Sequence, residues 1–154
     1  MEQNKLTTRE QDAIFQLNKV HNQTIHVLAD SFQTTEKEVL QAIVEVQKRK
    51  VTLFRHVFTD MTLEELDDMM ETAPRTRYGA FANFDYKIMF TGRATRRNDT
   101  VSQSFNRAEV SDYFGSTTIG GRINMNGFSH TISEGTFTVE RTPKITFLRA
   151  RGLL

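Results

Sequence analysis

The hydrophobic period of this chain changes near Pro74: ahead of it apolar residues recur at helical spacing, and beyond it they tend to alternate. A segment with a 3.6-residue period buries a stripe, whereas a period of two buries one face of a strand, so the two halves call for different elements. In the front half, Ala13, Ile14, Leu17 and Val20, with Phe15 adjacent, give a first helix over Thr8 to Asn22. Ile25, Leu28 and Ala29 give a short second helix ending near Ser31 and Phe32, and Val39, Leu40, Ile43, Val44 and Val46 give a third that runs past Lys50. After Val51, Phe54 and Phe58, an acidic fourth helix carries Leu63, Leu66, Met69 and Met70 and must stop before Pro74. Three of these starts have a Thr followed three residues later by Glu: Thr7 and Glu10, Thr35 and Glu38, Thr62 and Glu65. In that spacing the hydroxyl and the carboxylate each accept from a backbone N–H that a helix start leaves unpaired.

The run Tyr78 to Phe90 suits a strand, with Phe84, Tyr86 and Ile88 on one face and Asp85 and Lys87 on the other. Thr131 to Val139 is expected as a hairpin turning at Glu134-Gly135, and Lys144 to Arg149 as a last strand. Asn106 with Glu109 is expected to cap a short helix of Val110, Tyr113 and Phe114 ended by Gly115, and Arg93 to Thr100 to form a mobile loop. The expectation is an α+β protein: an acidic N-terminal module of three or four helices over residues 1–73, and a mainly antiparallel β module with one short helix over residues 74–154. The boundary is placed at Thr72 to Arg77.

At 154 residues the chain has room for one domain or two small modules. The absence of cysteine excludes a disulfide framework, a Cys-based zinc finger, an iron–sulfur cluster and a thiol nucleophile. No apolar run reaches the ~18 residues of a membrane span, and Met1 to Asp12 lacks a secretory or lipidation pattern, so a soluble cytoplasmic protein is expected. The formal net charge of +1 conceals a division: residues 1–73 have 8 Lys+Arg against 13 Asp+Glu, and residues 74–154 have 12 against 6. A basic half points to a polyanionic partner, because cations near phosphates release condensed counterions. A polyanion would meet these cations together only where they gather on a single exposed face.

The segment from Thr24 to Ile43 resembles the helix-turn-helix family of DNA-binding domains. Ala29 stands where two crossing helices need a small residue, and Leu28, Phe32, Val39 and Ile43 stand at apolar positions; Thr34 and Thr35 supply the polar helix start. The family places Gly at the turn where this chain has Gln33, so the resemblance implies a non-Gly residue in a left-handed or altered conformation. It also implies a recognition helix over about Thr35 to Val46, presenting Thr34, Thr35, Glu36, Lys37 and Gln41 to a major groove, with Lys48, Arg49, Lys50 and Arg55 on the backbone. A three-helix bundle used for packing or protein contact is the competing reading. Residues 109–123 carry a fainter likeness, in which Ser133 to Thr136 would be the wing of a winged helix, Arg122 would sit at the groove, and Arg141, Lys144 and Arg149 would meet phosphates.

Catalytic signals are weak. No nucleophile elbow or serine–lysine signature is present, Gly120-Gly121 lacks the Lys-Ser/Thr of a phosphate-binding loop, and no histidines have metalloprotease spacing. A magnesium nuclease would have to assemble acids such as Asp85, Glu109 and Asp112. Tyr78, Phe81, Phe84, Tyr86 and Phe90, with Lys87, Arg93, Arg96 and Arg97 nearby, suggest either a core or a sheet on which bases stack.

The expected function is that of a non-catalytic regulatory DNA-binding protein without a cofactor or metal, with duplex DNA as its ligand and a homodimer as an option. Its expected contacts are Lys37, Gln41, Lys48, Arg49, Lys50, Arg93, Arg96, Arg97, Arg122, Arg141, Lys144, Arg149 and Arg151. One alternative is an inhibitor or adaptor that docks Glu64, Glu65, Asp67 and Asp68 on a basic partner; another is the nuclease.

Overall fold

A computed structural model describes residues 6–115 and 121–154. The protein is α+β, with helices in its N-terminal part and an antiparallel sheet followed by one short helix in its C-terminal part. It divides into two compact units, Met1–Leu53 with Gly152–Leu154, and Phe54–Arg151.

The first unit contains α1 (Thr8–Lys19), α2 (Ile25–Ser31) and α3 (Glu36–Leu53). Ile14, Leu28, Ala29, Val39 and Ala42 form its buried core, with Leu17, Ile25, Phe32 and Ile43 packed around them. The caps act as their sequence suggests: Thr7 Oγ1 accepts from Glu10 N at 3.1 Å while Thr7 N donates to Glu10 Oε1 at 2.9 Å. The backbone N–H of Thr7 holds the Glu10 carboxyl below its ordinary pKa. Thr24 caps α2, and Thr35 Oγ1 accepts from Glu38 N at 3.1 Å. Gln33, between α2 and α3, has φ +52°, the left-handed conformation inferred for it, and Thr34 N donates to Ala29 O at 2.9 Å to close the helix end.

The second unit contains β1 (His56–Met61), α4 (Leu63–Thr72), β2 (Phe84–Arg96), β3 (Ser102–Val110), β4 (Asp112–Tyr113), β5 (Arg122–Met125), β6 (Phe128–Pro143) and α5 (Ile145–Ala150). The strands run in the order β3-β2-β6-β5-β4, and β1 also pairs with β6. One edge of β6 is therefore paired with β2 along nearly its whole length, while its other edge takes β5 at the start and β1 toward the end. Ile88, Phe90, Ala94, Val110, Ile123, Met125, Ile132, Phe137 and Val139 form one face, and α4 adds Leu66 and Met70 to the same core. Phe84, Tyr86 and Ile88 do share a face, with Asp85 and Lys87 exposed opposite, as strand alternation requires.

Several local expectations are overturned. Residues 54–73 belong with the sheet, so the units meet at Leu53/Phe54 and not at Thr72 to Arg77; β1, unforeseen, pairs with β6, and Arg55 bridges Glu140 at 3.1 Å. There is no hairpin at Glu134-Gly135, because β6 passes through it unbroken. Gly135 lies opposite Gly92, and a Cβ on Gly92 would come within 2.2 Å of Glu134 O while one on Gly135 would come within 2.5 Å of Thr91 O. These glycines permit close strand approach beside a bulge, which a tight turn would not need. Residues 106–110 and 112–113 form strands, not a helix: pairing Ala108 with Phe90 and Val110 with Ile88 outweighs the local cap signal. With Ser133 to Thr136 inside β6 and residues 109, 110, 112 and 113 in strands, the winged-helix likeness has neither its first helix nor its wing; residues 117–120 lie outside the described residues. The segment expected as a last strand is instead the helix Ile145–Ala150, with Lys144 as its N-cap after Pro143, which ends the ladder; the helix buries Leu148. Arg93 to Arg96, expected in a loop, lie in β2. Among the described residues no helix is long and apolar enough to cross a membrane.

Replacing Gly92 by Ala is expected to destabilise the protein by about 2–4 kcal/mol, since two strands must separate or bend. Gly127, at φ +81° with open space around its absent Cβ, should cost only about 1 kcal/mol when changed to Ala. Urea unfolding of both variants measures the difference.

Candidate functional site

At one end of the sheet β1, β6 and β2 place His56, Arg141 and Tyr86 side by side in register, on the face that further along becomes the core. Aromatic rings and guanidinium groups extend this row into a connected ladder. The Arg141 guanidinium carbon lies 5.1 Å from the Phe58 ring centroid and 4.4 Å from that of Phe84. His56 stacks at a tilt on Phe58 at 4.3 Å. On the other side Phe84 meets Tyr86 at 6.3 Å, Tyr86 meets Phe81 at 4.6 Å, and Arg75 lies 4.1 Å over Phe81. Phe84 also touches Phe147 of α5 at 4.7 Å, which carries Arg151 at 5.2 Å. The rings are half-buried, while Arg75, Arg151 and His56 are exposed.

The local sequence explains each placement. Phe84 and Tyr86 are alternate residues of β2, Pro143 releases the chain into α5 so that Phe147 folds back on Phe84, and Arg75 closes the end of α4 by donating to Met70 O at 3.2 Å. Lys144 Nζ donates to Phe81 O at 2.7 Å. Among the described residues Arg75, Arg141, Lys144 and Arg151 form no salt bridge, and Arg141 Nε is shielded from solvent without an acceptor. Cations against ring faces without carboxylate partners keep their charge available to an added anion.

Burial raises the Tyr86 hydroxyl pKa above 10.0, an effect that Arg141 and then Arg75 oppose by favouring the phenolate. Since the folded state holds this proton to higher pH than the unfolded chain does, the associated stability is intact below pH 10.0 and is lost as pH rises through the raised value. Phenolate absorbance should show a late-titrating component that Tyr86→Phe removes; an unchanged titration curve would contradict the burial of this hydroxyl.

The other expected contacts are dispersed. Arg93 and Arg122 lie on the opposite, open face of the sheet, where Arg93 pairs across the ladder with Glu134 and donates to Ser102 Oγ at 3.1 Å. Arg96 stacks at 3.4 Å on Phe128 at the far end of β2, Arg97 sits in the adjoining turn, and Arg149 is exposed on α5. In the first unit Lys37 and Gln41 are exposed on α3 beside exposed Leu40 and Val44. Lys48 pairs with Glu45 at 3.7 Å, Arg49 binds Asp12 and Gln11 at 2.8 Å each, and Lys50 lies over Phe15 at 4.8 Å. The single basic face required by the charge argument is therefore not present. Nor does the charge division survive as a property of the two units: residues 1–53 have seven Lys+Arg and seven Asp+Glu, and residues 54–151 have thirteen and twelve, because acidic α4 belongs with the sheet.

Of the acidic docking residues, Asp67 is buried, while Glu64, Glu65 and Asp68 are exposed, Glu65 being engaged in the α4 capping box. The postulated nuclease acids are not assembled: Asp85 pairs with Thr142, Glu109 with Met89 and Asp112 with Asn124. Among the described residues no three His, Asp or Glu side chains are grouped to hold a metal. Sequence reasoning missed His56, Phe58, Arg75 and Phe147 as members of the ladder; the pairing of β1 with β6 and the return of α5 leave no periodic mark in the sequence. No family model, curated protein or solved structure matches this chain.

Proposed function

We propose that this is a non-catalytic nucleic-acid-binding protein whose principal contact is the ring-and-guanidinium ladder of the second unit. The observation that carries the reading is the interleaving of Arg141, Arg75 and Arg151 with Phe58, Phe84, Phe81 and Phe147, without salt bridges to these cations among the described residues. Arginines supply charge for phosphates, and aromatic rings supply faces for bases, the combination used by nucleic-acid grooves that tolerate many sequences. The first unit is read as a helix-turn-helix-type bundle, in keeping with the left-handed Gln33 and the buried Ala29. Its Arg49 and Lys48 are engaged with acids, so affinity is assigned to the ladder and a regulatory, cytoplasmic role to the whole chain.

Binding of labelled oligonucleotides should weaken steeply with salt. Arg141→Ala and Arg151→Ala should each lower affinity several-fold at low salt and reduce the magnitude of the logarithmic salt slope by roughly 0.7–0.9 per lost phosphate contact. Arg93→Ala and Arg122→Ala, on the other face, should leave both quantities unchanged. Absence of binding by the unaltered protein, or equal effects from the two pairs, would refute this assignment.

A further inference from the structure

The ladder ends in a tight turn whose construction is more than that of a connector. Pro74 O accepts from Ala82 N at 2.9 Å, Arg75 and Phe81 form an isolated antiparallel bridge, and Thr76 N donates to Ala80 O at 2.7 Å. Within that frame Gly79 N donates to Thr76 O at 3.0 Å, and Tyr78 N donates to Thr76 Oγ1 at 3.3 Å. Gly79 has φ +87°, which closes the turn, and its carbonyl accepts from Arg75 Nη1 at 3.0 Å. The residue this framework displays is Tyr78, which is 85% exposed, with Arg77 as its ring neighbour at 5.3 Å. The other two tyrosines are differently placed: Tyr86 is half-buried in the ladder, and the hydroxyl of Tyr113 is enclosed against the core.

A ring held in water by an ordered backbone forgoes the burial that normally stabilises an aromatic residue, but is already positioned to stack on an incoming planar group. Arg77 places a cation beside that ring, and Arg75 and Lys144 anchor the turn to the ladder through Gly79 O and Phe81 O. We propose that Tyr78 is a base-stacking finger that takes an unpaired base of a single strand, with Arg77 near its phosphate. This rests on the nucleic-acid reading above and narrows its ligand to single-stranded DNA or RNA. A base inside a duplex has both faces covered by its neighbours, so a lone tyrosine at a turn tip can stack on it only after the base is unstacked.

The chain has no tryptophan, so tyrosine emission reports the contact directly. Oligothymidylate, oligouridylate and a duplex of equal length are titrated into the full chain and into its Tyr78→Phe and Tyr78→Ala variants, following emission and the anisotropy of labelled strands. Single strands should quench the unaltered protein. Tyr78→Phe should retain affinity while losing most of the quench, and Tyr78→Ala should bind single strands about tenfold more weakly with an unchanged salt slope, as loss of stacking without loss of charge requires. A response to oligothymidylate alone assigns DNA, to oligouridylate alone RNA, and to both a base contact indifferent to sugar; each supports the finger. If Tyr78→Ala binds as tightly as the unaltered protein while Arg141→Ala is weakened, or if duplex quenches as strongly as single strands, the finger is overturned and the ladder stands. If the unaltered protein binds none of the three probes, both proposals fall. Circular dichroism of each variant confirms folding, since Tyr78 contributes nothing to either core.

Discussion

Pairing of β2 with β6 is the interaction on which the second unit depends. It runs from Phe84 opposite Pro143 to Arg96 opposite His130, and it brings residues 59 apart in sequence at one end and 34 apart at the other into contact along two long strands. The close approach of Gly92 and Gly135 lets both strands continue past a bulge without breaking. Everything else attaches to this pair: β3 on the outer edge of β2, and β1 and β5 on the free edge of β6. Register decides the rest, because a slip of one residue would exchange the faces and send Tyr86 and Arg141 to the open side.

The ladder is a by-product of that register. A row of Tyr86, Arg141 and His56 lies beyond the point where Leu66 and Met70 of α4 fill the core, so the same sheet face is apolar in its middle and mixed at its end. Rings that would otherwise be open to water are partly covered by guanidinium groups, which are weakly hydrated and stack readily. The same contacts leave the positive charges unneutralised by carboxylates among the described residues. Stability and the proposed ligand affinity thus draw on one set of side chains.

Charge illustrates how far a linear count can mislead. Counted to residue 73, the front of the chain is acidic; counted by compact unit, neither part departs from neutrality by more than one charge. The difference is the segment 54–73, whose acidic helix follows a strand that joins β6. Local charge around Arg141 is a better guide to an anionic ligand than the sum over either half, since screening confines exposed charges to about 8–10 Å.

Helix starts, helix faces and the sided pattern of Phe84 to Ile88 were all legible in the sequence, because each depends on residues within one or two turns or on strand alternation, whereas the left-handed Gln33 was one of two conformations implied only by the helix-turn-helix resemblance. Arg141, Lys144 and Arg151 were expected as contacts of one basic face together with Arg93, Arg96 and Arg122, but their separation from those three residues and their aromatic company were not legible. Strand pairing, the continuity of β6 through Gly135, the helix after Pro143 and the company of Phe58, Phe84 and Phe147 around Arg141 were decided by tertiary structure alone. The reason is physical: a cap or an amphipathic stripe is satisfied by near neighbours, whereas a strand edge or an exposed ring is satisfied only by whichever distant segment reaches it.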